Sequence, residues 1–167
     1  MKRASITLKS FLALACTTLV VGCGGPSIYQ ETIDQAKINK QPLIIWSATP
    51  SSPDSAGGVS LAIRFTNTSP DTIKYIRYTV RGYNSVGDPA GGEIRTSSYR
   101  TLRDTGPHRP DVTETSNWGE LYYNWSLKCV QITKVSIDYL NGKKKTYSGK
   151  SLRKLFGPNY IKTCKII

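Results

Sequence analysis

The chain has 167 residues, 38% hydrophobic and 20% charged, with 23 lysines and arginines against 11 acids and a formal net charge of +12. That length holds one domain with a real core and excludes two ordinary ones, and ten tyrosines with three tryptophans exclude a wholly disordered polar chain. A single histidine leaves little material for acid–base or histidine-based metal chemistry.

Lys2, Arg3 and Lys9 precede an uncharged apolar run from Phe11 to Val21. A basic start followed by an apolar stretch of this size has the form of a secretory signal, too short to cross a membrane as a stable helix. A core helix is the alternative, but the run has no amphipathic face. The motif Val20-Val21-Gly22-Cys23 resembles the lipobox of bacterial lipoproteins. The resemblance implies cleavage before Cys23 and a diacylglyceryl group on its sulfur. Residues 1–22 are then a cleaved signal peptide, and residues 23–40 a lipidated N-terminus and tether. The chain would be anchored to a membrane without spanning it, since two or three acyl chains hold durably where one is marginal. Gly24 stands where an aspartate would signal inner-membrane retention in enterobacteria, so the resemblance points to the cell envelope, and to the outer membrane of a two-membrane cell.

Cys16 leaves with the signal and Cys23 takes the lipid, so Cys129 and Cys164 remain. Two leftover cysteines in an exported chain are expected to pair. Metal binding is the rival reading, but no CxxC or Cys/His spacing supports it, and no cofactor motif is present. On the chain-entropy model the bridge contributes about 4 kcal/mol. It would pin the C-terminal tail onto the body.

Residues 28–39 are polar, with Ile28, Ile33 and Ala36 at weak helical spacing: a stalk or a short helix. The β-branched and aromatic run 42–49 predicts a first strand, followed by the turn cluster PSSPDSAGG. Val59, Leu61, Ile63 and Phe65 alternate with Ser60, Ala62, Arg64 and Thr66, a strand with one buried and one wet face. After the turn Asn67–Asp71, Ile76, Tyr78 and Val80 against Arg77, Thr79 and Arg81 give another long strand. These two strands are expected to pair as an antiparallel hairpin.

From Ser85 to Asp111 the pattern weakens into loops, with a short edge strand near Ser98–Leu102, and it recovers at Leu121. Val130 and Ile132 point one way and Val135, Ile137 and Tyr139 the other, so a bulge belongs near Thr133 and Lys134. Asn141-Gly142 reads as a type I′ hairpin turn, which makes Lys143–Ser148 the last strand. Residues 149–157 add one or two helical turns before the tail. Short strands between turn clusters, without alternating helices, predict an all-β antiparallel sandwich over residues 41–167.

Thr72–Pro89, Thr105–Pro107 and Leu121–Gly142 together resemble a group of bacterial exported domains that share N-x-S, I-K-Y, Y-N-x-V-G-D, W-Y-N and Y-x-D/N-G motifs. This chain carries Leu-Tyr-Tyr-Asn and Asn-Gly where W-Y-N and D-G are commoner. The resemblance implies an immunoglobulin-like β-sandwich and brings no catalytic residues with it.

Chemistry has few places to reside. His108 lies in TGPHRPD, expected as an exposed loop, and neither a second histidine nor a GxSxG turn supports a nucleophilic triad. Glu114 and Glu120 flank TSNWG, but exposed loop acids are usually solvated rather than paired for glycoside hydrolysis. The aromatic cluster Trp118, Tyr122, Tyr123 and Trp125 offers faces for a sugar or a partner side chain. Core packing is the favoured reading, most of all for Trp125 and Tyr123.

Charge is the sharper asymmetry. From Lys128 to Ile167, 10 lysines and arginines face one acid, Asp138. Lys143, Lys144, Lys145, Lys150, Arg153 and Lys154, with Trp118 and Tyr122, form the candidate binding set. Their partner would be lipid headgroups, an anionic envelope polymer or an acidic protein face. The structural alternative is that edge-strand lysines oppose sheet-to-sheet aggregation. Export and the lack of a stacking motif argue against nucleic acid. The function expected is a non-catalytic binding or structural module, membrane-anchored through Cys23, that meets an envelope protein. Electrostatic binding of anionic polymer or lipid is the alternative, and a glycan-acting enzyme the remote one.

Overall fold

The computed structural model describes residues 27–92, 96–160 and Cys164. The expected signal segment, Cys23, and Lys162 and Lys165 of the basic tail lie outside the described residues. In chain order the elements are α1 (Ile28–Ile38), β1 (Leu43–Pro50), β2 (Gly58–Asn67), β3 (Ile73–Asn84), β4 (Tyr99–His108), β5 (Thr113–Tyr123), β6 (Leu127–Tyr139), β7 (Lys144–Ser148) and α2 (Gly149–Arg153). The strands form two antiparallel sheets, β1-β2-β5 and β4-β3-β6-β7. Their inner faces meet in one apolar core that includes Leu61, Ile63, Phe65, Ile76, Tyr78 and Ile137. This is the expected all-β antiparallel sandwich.

The expected hairpin of β2 with β3 does not form. β2 pairs with β1 and β5, while β3 pairs with β4 and β6. Each strand has one strongly apolar face, and the two faces bury each other by stacking across the sandwich. Phe65 and Tyr78 meet there with ring centroids 6.4 Å apart.

The expected edge strand near Ser98–Leu102 is the start of β4, and the rest of β4 and most of β5 are what the sequence pattern does not reveal. β4 runs on to His108 through a cis Gly106–Pro107 bond, and β5 starts at Thr113, well before Leu121. The reason lies in what they turn inward. Asp104 and His108 on β4, and Glu114 and Ser116 on β5, occupy inward positions, so hydrophobic alternation is lost although the strands are long.

The bulge in β6 is where the sequence places it. Thr79 pairs with Lys134 and Val80 with Ile132, so Thr133 is the extra residue. The β6–β7 hairpin also forms, but not through a type I′ turn. Only Gly142 is left-handed there (φ 83), and its amide donates to the Tyr139 carbonyl. Leu140, Asn141 and Gly142 thus make a three-residue loop ending in a left-handed glycine.

Helix α1 is capped by Ser27, whose hydroxyl accepts from the Gln30 amide. It buries Ile33 and Ala36 against Ile44 and Trp46, on the outer face of β1. The free edge of β1 is covered by the chain after α2, as the Ile45 amide donates to Leu155 and Gly157 donates back to Ile45. Cys129 and Cys164 are joined by a disulfide, with Cα atoms 5.2 Å apart, beside Tyr83. The bridge fastens the C-terminal tail to the outer face of the four-stranded sheet.

Candidate functional site: a proline-walled lysine cleft

At one end of the sandwich four segments converge: the end of α1, the β2–β3 turn, the β4–β5 turn and the β6–β7 hairpin. Between them lies a cleft of about 610 Å³. Pro42, Pro70 and Pro110 contribute stiff apolar walls, and Lys37, Lys40, Lys143 and Lys145 carry its positive charge.

Asn67 organises the cleft. Its side-chain amide donates to the carbonyls of His108 (3.0 Å) and Asp71 (3.1 Å), and its side-chain oxygen accepts from the Ser69 amide and hydroxyl. Its backbone carbonyl takes the Asp111 amide at 2.8 Å. The amides of Thr68 and Ser69 donate to the Pro42 carbonyl, and Leu140 donates to Thr72. All four segments are therefore tied together by hydrogen bonds centred on the buried Asn67.

Helix α1 ends by a Schellman motif: the Lys40 amide donates to Lys37 and the Gln41 amide to Ala36. The motif requires a left-handed residue, which is normally glycine. Here it is Lys40, at φ 52. That conformation costs an L-residue about 1–2 kcal/mol.

Electrostatically the cleft is half neutralised. Lys37 pairs with Asp111 at 2.7 Å and Lys143 lies 3.7 Å from Asp71. Among the described residues, no acid pairs with Lys40 or Lys145. Tyr139 closes the inner side, and burial together with neighbouring Tyr147 pushes its phenol up to about 12, against a lowering hydrogen bond from Ser69. It stays neutral and able to donate at any physiological pH. A second hollow of about 630 Å³ shares Lys40, Gln41 and Pro42 and extends to Tyr147, Ser151 and Lys154.

The sequence-derived basic set is thus divided. Lys143 and Lys145 line the cleft, and Lys154 lines the adjoining hollow. Lys144 pairs opposite Asp138, on the other face of the hairpin, while Lys150 and Arg153 sit on α2. Strand alternation does this, since successive residues point to opposite faces. Lys37, Lys40 and the Asn67 network were not legible as site residues; the clustered prolines around NTSPD and HRPD were the available signal.

The aromatic candidates also part company. Tyr122 is 1% exposed, donates its hydroxyl to the Ser98 carbonyl at 2.8 Å and is covered by Arg100, so it is a packing residue with no face to offer. Trp118 is half-buried, edge-on to Tyr78 at 5.8 Å. The expectation that Trp125 and Tyr123 pack in the core is corrected. Trp125 is 56% exposed and covers Gly57, and Tyr123 is half-buried with its hydroxyl on Glu120. Both sit where β5 leaves the sheet, beyond reach of the core.

His108 is not in an exposed loop. It is 3% exposed, with Nδ1 2.7 Å from Oε2 of Glu114, Nε2 3.8 Å from Oδ1 of Asp104, and its ring edge-on to Phe65. The Ser116 hydroxyl donates to Asp104 rather than facing the imidazole, so serine, histidine and acid are present without the relay that activates a nucleophile. Among the described residues, no group of three His, Cys, Asp or Glu side chains is placed to hold a metal ion. Nor is any described helix long and apolar enough to cross a membrane.

No protein-family model matches the chain, and no curated protein matches it. It is similar to a 1.85 Å X-ray structure of a hypothetical protein from Peptoclostridium difficile 630, at 10% identity and a TM-score of 0.44, over 67% of this chain and 88% of the other. That likeness is too distant to carry an argument.

Proposed function

We propose that the chain is an envelope lipoprotein, anchored through Cys23, whose sandwich binds an acidic segment of a protein partner in the lysine cleft. Its role is binding, not catalysis. The observation that carries this reading is Lys40. A lysine occupies a left-handed helix terminus that glycine would fill without strain, and its ammonium has no acid beside it among the described residues. Backbone strain kept at a cleft is a mark of function.

The walls refine the ligand. Three prolines and a buried tyrosine suit an apolar side chain, and Lys40 and Lys145 suit one or two carboxylates next to it. The cleft lies at the end of α1 remote from the anchored end, a helix of 11 residues or about 16 Å away. This favours a protein ligand over the headgroups of the anchoring membrane. For the fold, the order β1-β2-β5 against β4-β3-β6-β7 supports the immunoglobulin-like reading, although the disulfide joins β6 to the tail rather than the two sheets.

The test is calorimetric titration of the full chain with a synthetic peptide carrying paired glutamates beside a leucine. Binding is expected to weaken about tenfold in the K40Q/K145Q variant and to fall with added salt. Equal affinity in the variant would overturn the proposal.

A further inference from the structure

The outer face of the four-stranded sheet is a second charged surface, separate from the cleft. Ile76, Tyr78 and Val80 of β3 are fully buried, so Arg77, Thr79 and Arg81 face outward, and residues paired with them share that face. The face gathers Arg77, Arg81, Arg103, Lys134 and Lys144, with Asp138 as its acid, and Lys74, the extra residue of a bulge in β3, reaches over the ring of Tyr75 beside them. Arg77 neutralises that acid at 2.8 Å. Helix α1 packs on β1 of the other sheet and Leu152 of α2 enters the core, so neither helix covers this surface, and among the described residues Cys164 covers only its end, at Tyr83 and Cys129.

The arginines are not free to wander. The Arg81 guanidinium lies 4.8 Å above the ring of Tyr99 and 5.4 Å from that of Tyr83, while Arg77 and Arg103 lie over Tyr75 at 5.7 and 5.3 Å. Held over tyrosine rings, their planar forks are presented with part of their entropy already lost, which favours bidentate binding of a carboxylate or phosphate. Thr79 opposite Thr101 and Ser136 beside Thr146 add a row of hydroxyls among the cations.

We infer that this face is a docking surface for an anionic polysaccharide, one that bears carboxylates or phosphates along a hydroxyl-rich chain. Charge complementarity carries the inference, and the arrangement selects among polyanions. Tyr75 is covered by Arg77 and Arg103 and Tyr83 is buried, which leaves Tyr99 as the one tyrosine of this set with an open face, short of the run of stacking platforms that single-stranded nucleic acid would require. Tyr99 is the one large exposed hydrophobic among the residues named on this face, so the apolar centre of a protein interface is missing. A hydroxyl-studded cationic sheet about 14 Å across four strands matches a sugar chain lying along it. The ligand is of another class from that of the cleft, and either reading can fail alone.

The test uses the full chain on immobilised polygalacturonate, a carboxylate-bearing glycan, with neutral dextran as control. Retention on polygalacturonate alone is expected, falling about tenfold in R81Q/R103Q, which spares the Arg77–Asp138 pair. It should also fall severalfold in R81K/R103K, because an ammonium keeps the charge without the fork, and stay unchanged in K40Q/K145Q. Thermal melting of each variant establishes that the fold is intact. Wild-type retention by R81Q/R103Q or by R81K/R103K, loss in K40Q/K145Q, or equal binding to dextran, polyglutamate or DNA would each overturn the inference.

Discussion

Nδ1 of His108 lies 2.7 Å from Oε2 of Glu114, and this contact joins the end of β4 in one sheet to the start of β5 in the other. β4 and β5 are both edge strands, and their inward rows meet along the open side of the sandwich. Ser116 on Asp104, Arg100 on the Leu121 carbonyl and Tyr122 on the Ser98 carbonyl continue the same seam. Polar side chains here do what backbone pairing does elsewhere: they close the side where two unpaired edges would otherwise part.

The seam is expected to contribute measurably to stability. His108→Ala removes a part-buried hydrogen bond to a carboxylate and the buried ring packed on Phe65, and should lower the unfolding free energy by about 2–4 kcal/mol in urea titration. A loss under about 0.5 kcal/mol, the level of an ordinary surface change, would show that the seam is incidental.

Asn67→Ala should be costly in two ways. It takes a donor from the buried His108 carbonyl and an acceptor from Ser69, while the Ser69 hydroxyl and the Asp71 carbonyl keep each other, a loss of about 2 kcal/mol. It also loosens the turns that shape the cleft, so peptide affinity should fall although Asn67 carries no charge. A destabilised variant with unchanged affinity would separate the network from the site.

Lys40→Gly is expected to stabilise the chain, by about 1 kcal/mol, because glycine takes the left-handed terminus of α1 without strain. The same change should weaken binding in the cleft. Lower stability, measured by thermal or urea melting, would contradict the reading of Lys40 as strained.

Cys164→Ser should cost about 2–4 kcal/mol through the loop that the bridge closes. Cys129→Ser should cost about as much, and the double variant no more than either. Strictly additive losses would mean that the two sulfurs stabilise the fold separately rather than as one bond.

Burial pushes the phenols of Tyr122, Tyr139 and Tyr160 up to about 12, from an ordinary value of 10.0. Their neutral form is favoured in the fold, so their contribution is complete below pH 10 and is lost as pH rises to about 12, where the unfolded chain sheds its protons first. Stability should be flat up to about pH 10 and then fall steeply, with these phenolates appearing together with unfolding. Ionisation of all ten tyrosines at about pH 10 in a chain with native circular dichroism would contradict this.

By itself the sequence determined whatever depends on near neighbours. The alternation in β2 and β3 marked two half-buried strands, the break in alternation marked the bulge at Thr133, Gly142 marked the hairpin, and two leftover cysteines marked the bridge. Each follows from local backbone preference or from counting, and needs no knowledge of distant contacts. Tertiary structure alone decided how β2 and β3 bury their faces, because stacking and pairing satisfy the same pattern. It alone placed His108 inside, since a polar residue is buried only where partners such as Glu114 arrive from another strand. And it alone sent Lys143 and Lys145 into the cleft and Lys144 onto the opposite face, where a run of like charges had read as one patch. A strand divides its residues between two sides of a sheet, and what waits on each side is set by chain that lies far away in sequence.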